Sequence, residues 1–409
     1  IAYLFGTDEL GFEFVLYEEY GADYDFSIPP QQATVMDNYK MIIEDLQKAE
    51  QLLPDCRNID AANFGRASKQ AAVGYMAKVY AYWACWDKSQ WANVITCVDK
   101  LESQYGRALV NNYNDLFSDD FSKWNNSEYI FAMPSNGGAN GGGCEFPGVV
   151  LENKGWGVFN GWGQNKPSYD IFEQFMADDA NLIDANKGNI RKVRSVLEYG
   201  QEFQFNGETR RFFSQSDVEA GFMINKYMDP FGHADFCASD EKGMGYVNTS
   251  GDWPTARLNV PILRFADLLL LRAEAKIVNG QDGAADINKV RNRANVKSLD
   301  HPATMKDVYH ERRVELAFEF YDHLYDLKRW HKSGDAEIKA LAAAELNARP
   351  RVRVYEDRSN PDANFVIAPY NDYTDKGSNA YVDGKITFPF PSEQVAKSNG
   401  ALKQNSFWK

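Results

Sequence analysis

Paired cysteines, long apolar runs and clustered positive charge are all missing from this sequence, and each absence removes a class of explanation. The five cysteines (Cys56, Cys85, Cys97, Cys144 and Cys237) form no CxxC or metal-type spacing, and an odd count in 409 residues is no disulfide framework. Cys85 and Cys97 fall in helical patterns and read as small apolar core residues. No apolar run approaches the ~20 residues that a bilayer-spanning helix needs. The chain starts at Ile1, with neither Met nor a basic-then-apolar leader, and is read as processed or truncated, its targeting segment out of view.

Basic residues are outnumbered, 44 Lys and Arg against 58 Asp and Glu, for a net charge of -14. Phosphate and anionic-lipid surfaces are bound by clustered Lys and Arg, so neither nucleic acid nor a bare membrane surface is an expected partner. Catalytic signatures are also missing. Among the five histidines, His310-Glu311 begins like an HExxH zinc motif, but Val314 stands where the second His belongs. The Gly-rich residues 137–143 lack the Lys-Ser/Thr of a phosphate loop, and no GxSxG occurs. Asn371, Asp372 and Asp375 offer oxygens to a structural calcium, yet without the spacing of a defined loop they read as a surface turn, and no cofactor is expected.

What is present is a strong helical pattern at both ends of a polar, glycine-rich middle. Val35, Tyr39, Ile42, Leu46, Ala49 and Leu53 recur at steps of three and four, predicting a helix over 34–53 capped by Thr34 with Asp37 and stopped by Pro54. Ala71, Ala72, Tyr75, Met76, Val79, Tyr82, Trp83 and Trp86 form one stripe. Trp91, Val94, Ile95, Val98 and Leu101 form another, and the short polar break at 87–90 makes the two helices antiparallel neighbours. Small residues such as Ala71, Gly74 and Ala77 allow close backbone approach, as in tetratricopeptide-type pairs. A second pair follows: Ala266, Leu269, Leu270, Ala273 and Ile277, a turn at 279–283, then Ile287, Val290 and Ala294. Thr304 and Asp307 cap a further helix carrying Val314, Ala317, Phe318 and Tyr321. The fold class is therefore mainly α: a helical-pair scaffold over about 30–108 and 261–340, a long irregular insertion over about 109–260 interrupted by one short helix at 168–176, and a C-terminal segment 341–409, taken together as a single domain, 1–409.

Within the second helical block, residues 261–275, from Pro261 through Arg264-Phe265-Ala266-Asp267 to Arg272-Ala273-Glu274-Ala275, resemble the signature helix of the SusD/RagB family. Ile287-Asn288-Lys289-Val290-Arg291-Asn292-Arg293-Ala294 resembles its next helix, and Glu311-Arg312-Arg313-Val314-Glu315 with Tyr325-Asp326-Leu327-Lys328-Arg329-Trp330 its third. Phe388-Pro389-Phe390-Pro391 and Gln404-Asn405-Ser406-Phe407-Trp408 are similar to its closing segment, and Gly65-Arg66-Ala67-Ser68 to the approach to its first repeat. The usual N-terminal portion with its lipid-bearing cysteine is not in this chain, and Leu10 to Gly21 is at most a degenerate version of the family's first aromatic helix. The resemblance implies a non-catalytic lipoprotein on the outer-membrane surface of Bacteroidetes. Such a protein captures oligosaccharides and passes them to a SusC-like TonB-dependent transporter; its only membrane contact is an N-terminal lipid anchor. Some members of the family take peptides instead.

Sugars present apolar C–H faces ringed by hydroxyls, so their receptors pair flat aromatics with planar polar groups. Trp156 and Trp162 each stand between glycines in the insertion, and Trp253 stands beside Gly251 and Pro254; all three are candidate stacking platforms. Each is equally a candidate local core plug, since Trp is usually buried. Tyr246 is a further aromatic candidate, with Asn160, Gln164 and Asn165 as polar partners, against the turn-stabilising role common to Asn. The charged helix residues Arg264, Glu274, Arg291, Arg293, Glu311, Arg312, Glu315 and Asp326 are read as inter-helix ion pairs and caps, not ligand contacts. The rival reading, an all-α glycan hydrolase, needs two flanking carboxylates; Glu145 and Glu152 are available, but no pair stands out.

Overall fold

Helices begin where the apolar stripes begin. In the computed structural model, which describes residues 32–135, 166–205, 207–212, 220–229, 247–248, 255–319, 323–370 and 387–408, the first described helix is α1 (Val35–Leu52). The Thr34 hydroxyl accepts from the Asp37 N–H at 3.1 Å, and Leu53 turns extended before Pro54, where a helix is sterically disfavoured. Ser68 caps α2 (Lys69–Trp83), which packs on α3 (Trp91–Ser103); the helix stops before Trp86, so the connection runs over 84–90 and is longer than the expected break at 87–90. No described helix is long and apolar enough to cross a membrane.

The next described helices, α4 (Tyr169–Ala177) and α5 (Ile190–Ser195), fall in the middle segment. The second helical block holds α6 (Phe265–Val278), α7 (Ala284–Arg293), α8 (Met305–Leu316), α9 (His323–His331) and α10 (Ala336–Asn347). Leu268, Leu269, Leu270, Ala273, Val73, Ala77, Val94, Val98, Ile287 and Trp330 share one buried core, so α6 lies at the centre of the scaffold, buried nearly all round.

Between the helical blocks the chain is less irregular than its composition suggests. Strand β1 (Tyr129–Met133) pairs antiparallel with β8 (Val260–Arg264), with register irregularities, so the start of the middle segment is hydrogen-bonded to its end. Four more two-stranded ladders are present among the described residues: β2 (Val196–Glu198) with β5 (Phe222–Ile224), β3 (Glu202–Phe205) with β4 (Glu208–Arg211), β6 (Val247–Asn248) with β7 (Thr255–Ala256), and β9 (Arg351–Tyr355) with β10 (Phe365–Pro369). Gly74 of α2 faces this layer: a Cβ there would meet Ile130 at 2.7 Å. The small residue therefore admits β1 against the helix.

A network of buried charge joins scaffold to middle segment. The Arg264 guanidinium, at the start of α6, donates to Glu128 at 2.8 Å, Glu315 at 2.6 Å and Glu319 at 2.6 Å. Arg293 of α7 reaches Glu128 at 2.8 Å and also pairs with Glu315. Arg191 of α5 donates to Glu311 at 2.7 Å and to Asp178 at 2.9 Å. A second network runs through the scaffold alone. Arg312 bridges Asp267 and Asp326, Lys78 pairs with Asp267, and Arg329 grips Glu274 in a two-pronged contact. All eight charged residues read from sequence as scaffold ion pairs are paired in this way, seven of them buried and Arg293 half-buried.

One helix end departs from its pattern. The apolar stripe through Phe318 and Tyr321 predicts continuation, but α8 stops at Leu316 and Phe318 takes a left-handed conformation (φ 63°); Tyr321 lies outside the described residues. The reason is tertiary. The Glu315 carbonyl accepts from Arg264 at 2.7 Å, Tyr113 at 3.1 Å and Lys226 at 3.2 Å, and the Phe318 carbonyl accepts from Tyr227 at 2.6 Å. Side chains thus take the carbonyls that a further turn would use. Phe318 packs against both apolar clusters of the middle segment, one around Tyr113, Phe117 and Tyr227 and one around Phe172, Phe175 and Phe222.

Replacing Arg264 with Leu removes one cationic partner from each of three carboxylates, and the expected loss is about 3–5 kcal/mol in urea unfolding. Arg264→Lys should restore little, because an ammonium lacks the planar fork that spans several partners. A loss no larger than that of an exposed pair, about 1 kcal/mol or less, would contradict the network's assigned role.

Candidate functional site

The two segments that carry the candidate tryptophans are rooted side by side. Residues 136–165, which include Trp156, Asn160, Trp162, Gln164 and Asn165, leave the described structure after Ser135 and return at Lys166. Trp253 lies in residues 249–254, the connection from β6 to β7, and Tyr246 immediately precedes β6. All seven candidate residues lie outside the described residues, as do Glu145, Glu152, Asn371, Asp372 and Asp375. Their roots are described. The Ser135 hydroxyl donates to the Leu258 carbonyl at 2.9 Å and accepts from the Leu258 N–H at 3.3 Å. Leu258 is fully buried beside Tyr129, Tyr227 and Val260, so both roots are seated in one apolar cluster.

The first root is fixed by close approach. Gly65, which opens the motif before α2, has φ 90°, and a Cβ on it would lie 2.5 Å from Pro134 Cδ. Only glycine satisfies both the conformation and the space. At the far end, Arg351 of β9 holds the start of α4: its N–H and Nε donate to Asp170 at 2.8 and 2.6 Å, and Nη2 to Glu173 at 2.6 Å.

Sequence reading missed a cluster that the fold assembles between the end of α4 and α8. Asp178, His310 and Glu311 bring ligand-type atoms within 4.8 Å of one another. His310 bridges Gln174 and Asp178, both at 3.0 Å, while Arg191 and Arg291 pair with Glu311. Burial pushes the Asp178 carboxyl up, but the His310 hydrogen bond and the Arg191 charge outweigh it and hold it below its ordinary value. With two guanidiniums already neutralising the carboxylates, the donor set suits an ion-pair hub and not a cation. Glu128 and Lys226 were missed as well, because nothing in their local sequence marks them. Lys226 is fully buried over the Phe117 ring at 4.9 Å, and burial lowers its pKa to about 8 despite Glu319 beside it.

Two measurements test this seating. Gly65→Ala should destabilise by at least about 1 kcal/mol more than Gly106→Ala. Gly106 also has positive φ (63°) but nothing within 4 Å, so equal melting shifts would remove the close-approach argument. The second concerns acid. Burial pushes the Glu315 carboxyl up, yet Arg293, Arg264 and Arg191 outweigh it and hold it at about 2; at Glu345 burial is likewise outweighed, by His323 first, giving about 2. Depressed carboxyls contribute stability that is complete above their ordinary value of 4.5 and is lost as pH falls from there toward 2. Urea midpoints should fall across that window, and a flat profile would show that neither group is held in its ionised form.

Known proteins resemble this chain in fold and in family pattern. Of the solved structures, a SusD-like protein from Bacteroides fragilis superposes with a TM-score of 0.71 at 19% identity, over 98% of this chain and 76% of that one. A structure with xylogluco-oligosaccharide gives 0.70 at 21% identity, over 98% and 78%. Surface glycan-binding protein A from Bacteroides uniformis gives 0.62 at 18%, over 98% and 74%. At these identities the likeness establishes the fold. No curated protein sequence matches. The model of the SusD family matches residues 116–408, from before β1 to the C-terminal Trp408. The chain belongs to the SusD family, a family of binding proteins that catalyse no reaction.

Proposed function

We propose that this protein captures oligosaccharides at the bacterial cell surface and hands them to a SusC-like TonB-dependent transporter in the outer membrane. The reading rests on family membership together with one observation: the segments bearing Trp156, Trp162 and Trp253 are rooted beside each other at Ser135 and Leu258. Two similar structures carry glycan in their description, one with xylogluco-oligosaccharide and one a surface glycan-binding protein. Indole faces stack on the C–H faces of sugar rings, and Asn160, Gln164, Asn165 and Tyr246 supply hydrogen bonds to hydroxyls. A neutral ligand is indifferent to a net charge of -14. Affinity at one such site is expected in the micromolar to millimolar range, about 4–8 kcal/mol, and proximity to the transporter does the rest.

The test is affinity electrophoresis and calorimetry against plant polysaccharides and mucin glycans, with reducing ends assayed in the same samples. Retention by a glycan without release of reducing ends is the expected result. Replacing Trp156, Trp162 and Trp253 together with Ala should abolish retention and leave the helical circular dichroism unchanged. Unchanged retention by the folded triple variant would sink the site, and release of reducing ends would sink the capture role. Binding of peptides in place of every glycan would reassign the cargo.

A further inference from the structure

Phe121 is the most exposed phenylalanine among the described residues, at 54%, and stands at the start of a short 3-10 turn (Phe121–Lys123). Exposure of a single aromatic is ordinary. Phe121 is set apart by how firmly its turn is held and by what it stands beside.

The turn is closed from within and pinned from outside. Asp120 caps it, accepting from the Ser122 N–H at 2.9 Å, and the Trp124 indole N–H donates to the Ser118 carbonyl at 3.0 Å. The Asp119 N–H donates to Asp229 at 3.2 Å, and the buried Asp119 carboxylate stands 3.6 Å from the Arg257 guanidinium. Two contacts then fix the ring itself. Arg257 lies 4.4 Å over its centre, and Trp124 packs against it with 4.4 Å between centres and a tilt of 60°.

Those two neighbours lead to the two roots of the tryptophan-bearing segments. Arg257 directly precedes Leu258, which seats the root that follows Trp253. Trp124 meets Phe64 at 6.5 Å, and Phe64 packs on the apolar cluster that holds Leu258. Gly65, next in the chain, receives Pro134 of the other root. Phe121 is therefore an exposed ring, fixed in orientation, beside both roots. A ring already held in place costs little further ordering when a ligand lies on it.

We propose that Phe121 is a stacking platform of the glycan site, taking the C–H face of one sugar ring of a captured oligosaccharide. The assignment rests on the capture reading and adds to it a binding residue within the described structure. A flat aromatic face offers a sugar ring both burial and contact with its π-system. A branched aliphatic side chain offers burial without the flat face, and the two are separable by substitution.

The unaltered chain, Phe121→Ala, Phe121→Leu and Phe121→Tyr are run in native gels containing xyloglucan, laminarin or mucin, with thermal melting recorded for each. Phe407→Ala, which removes a comparably exposed ring from the C-terminal segment, is the control. In a gel that retards the unaltered chain, the Ala and Leu variants should lose retention several-fold while folded. The Tyr variant and the Phe407 control should keep it. Should Phe121→Ala fail to fold, the Leu and Tyr variants decide. Retention kept by Phe121→Ala or Phe121→Leu, or lost equally by Phe121→Tyr or Phe407→Ala, overturns the platform and leaves glycan capture standing. Retardation of the unaltered chain by none of the three gels overturns the capture reading, and the platform with it.

Discussion

The contact on which the rest depends is the Arg264 guanidinium held among Glu128, Glu315 and Glu319. Each charge, taken from water, costs several kcal/mol unless its partners are complete. The partners come from three places: Glu128 from just before β1, Glu315 and Glu319 from the end of α8, and Arg264 itself from the junction of β8 and α6. Lifting the middle segment away would remove Glu128, Arg191 and Lys226 from this group and leave its remaining charges incompletely paired. Apolar contact between the layers tolerates sliding, because dispersion and burial have no direction. A multi-pronged ion contact does not. The charge network therefore fixes register, and the apolar clusters around Tyr113 and Phe172 supply the burial.

That division of labour explains why the scaffold was legible in the sequence. Helical periodicity is a local signal, and the apolar recurrences through Met76, Val94 and Leu269 place α2, α3 and α6 within a few residues. Arginines and acids inside strongly apolar segments have one common physical solution, pairing, so Arg312 and Glu274 were legible as structure too. Phe318 was not. Its apolar side chain continues the stripe of α8, while the stop comes from Tyr113, Lys226, Tyr227 and Arg264, residues 51 to 202 positions away. A tertiary cap leaves no mark in the segment that it ends. The short ladders were illegible for the same reason: β1 becomes a strand by pairing with β8, more than a hundred residues later.

The site was legible only in outline. Tryptophans between glycines fit no stripe, and that misfit singles out Trp156 and Trp162; the structure adds where their segment is rooted. The rooting itself was hidden, because Ser135 and Leu258 are unremarkable residues 123 positions apart. Gly65 was visible as part of a family motif, but its physical reason, the approach of Pro134, needed coordinates.

The accounting of charge narrows how this protein recognises anything. Arg191, Arg264, Arg272, Arg291, Arg312 and Arg329 are buried, Arg293 is half-buried, and each is committed to carboxylates of the frame. Withdrawing one of them to meet a ligand would deprive its partners of a counter-charge, at a cost comparable to the binding free energy of a weak sugar site. Recognition must then use groups the frame does not need. The site proposed on the tryptophan-bearing segments would use aromatics and amides, side chains suited to neutral hydroxylated ligands. A frame that spends its arginines internally leaves each surface to choose its ligand by what remains.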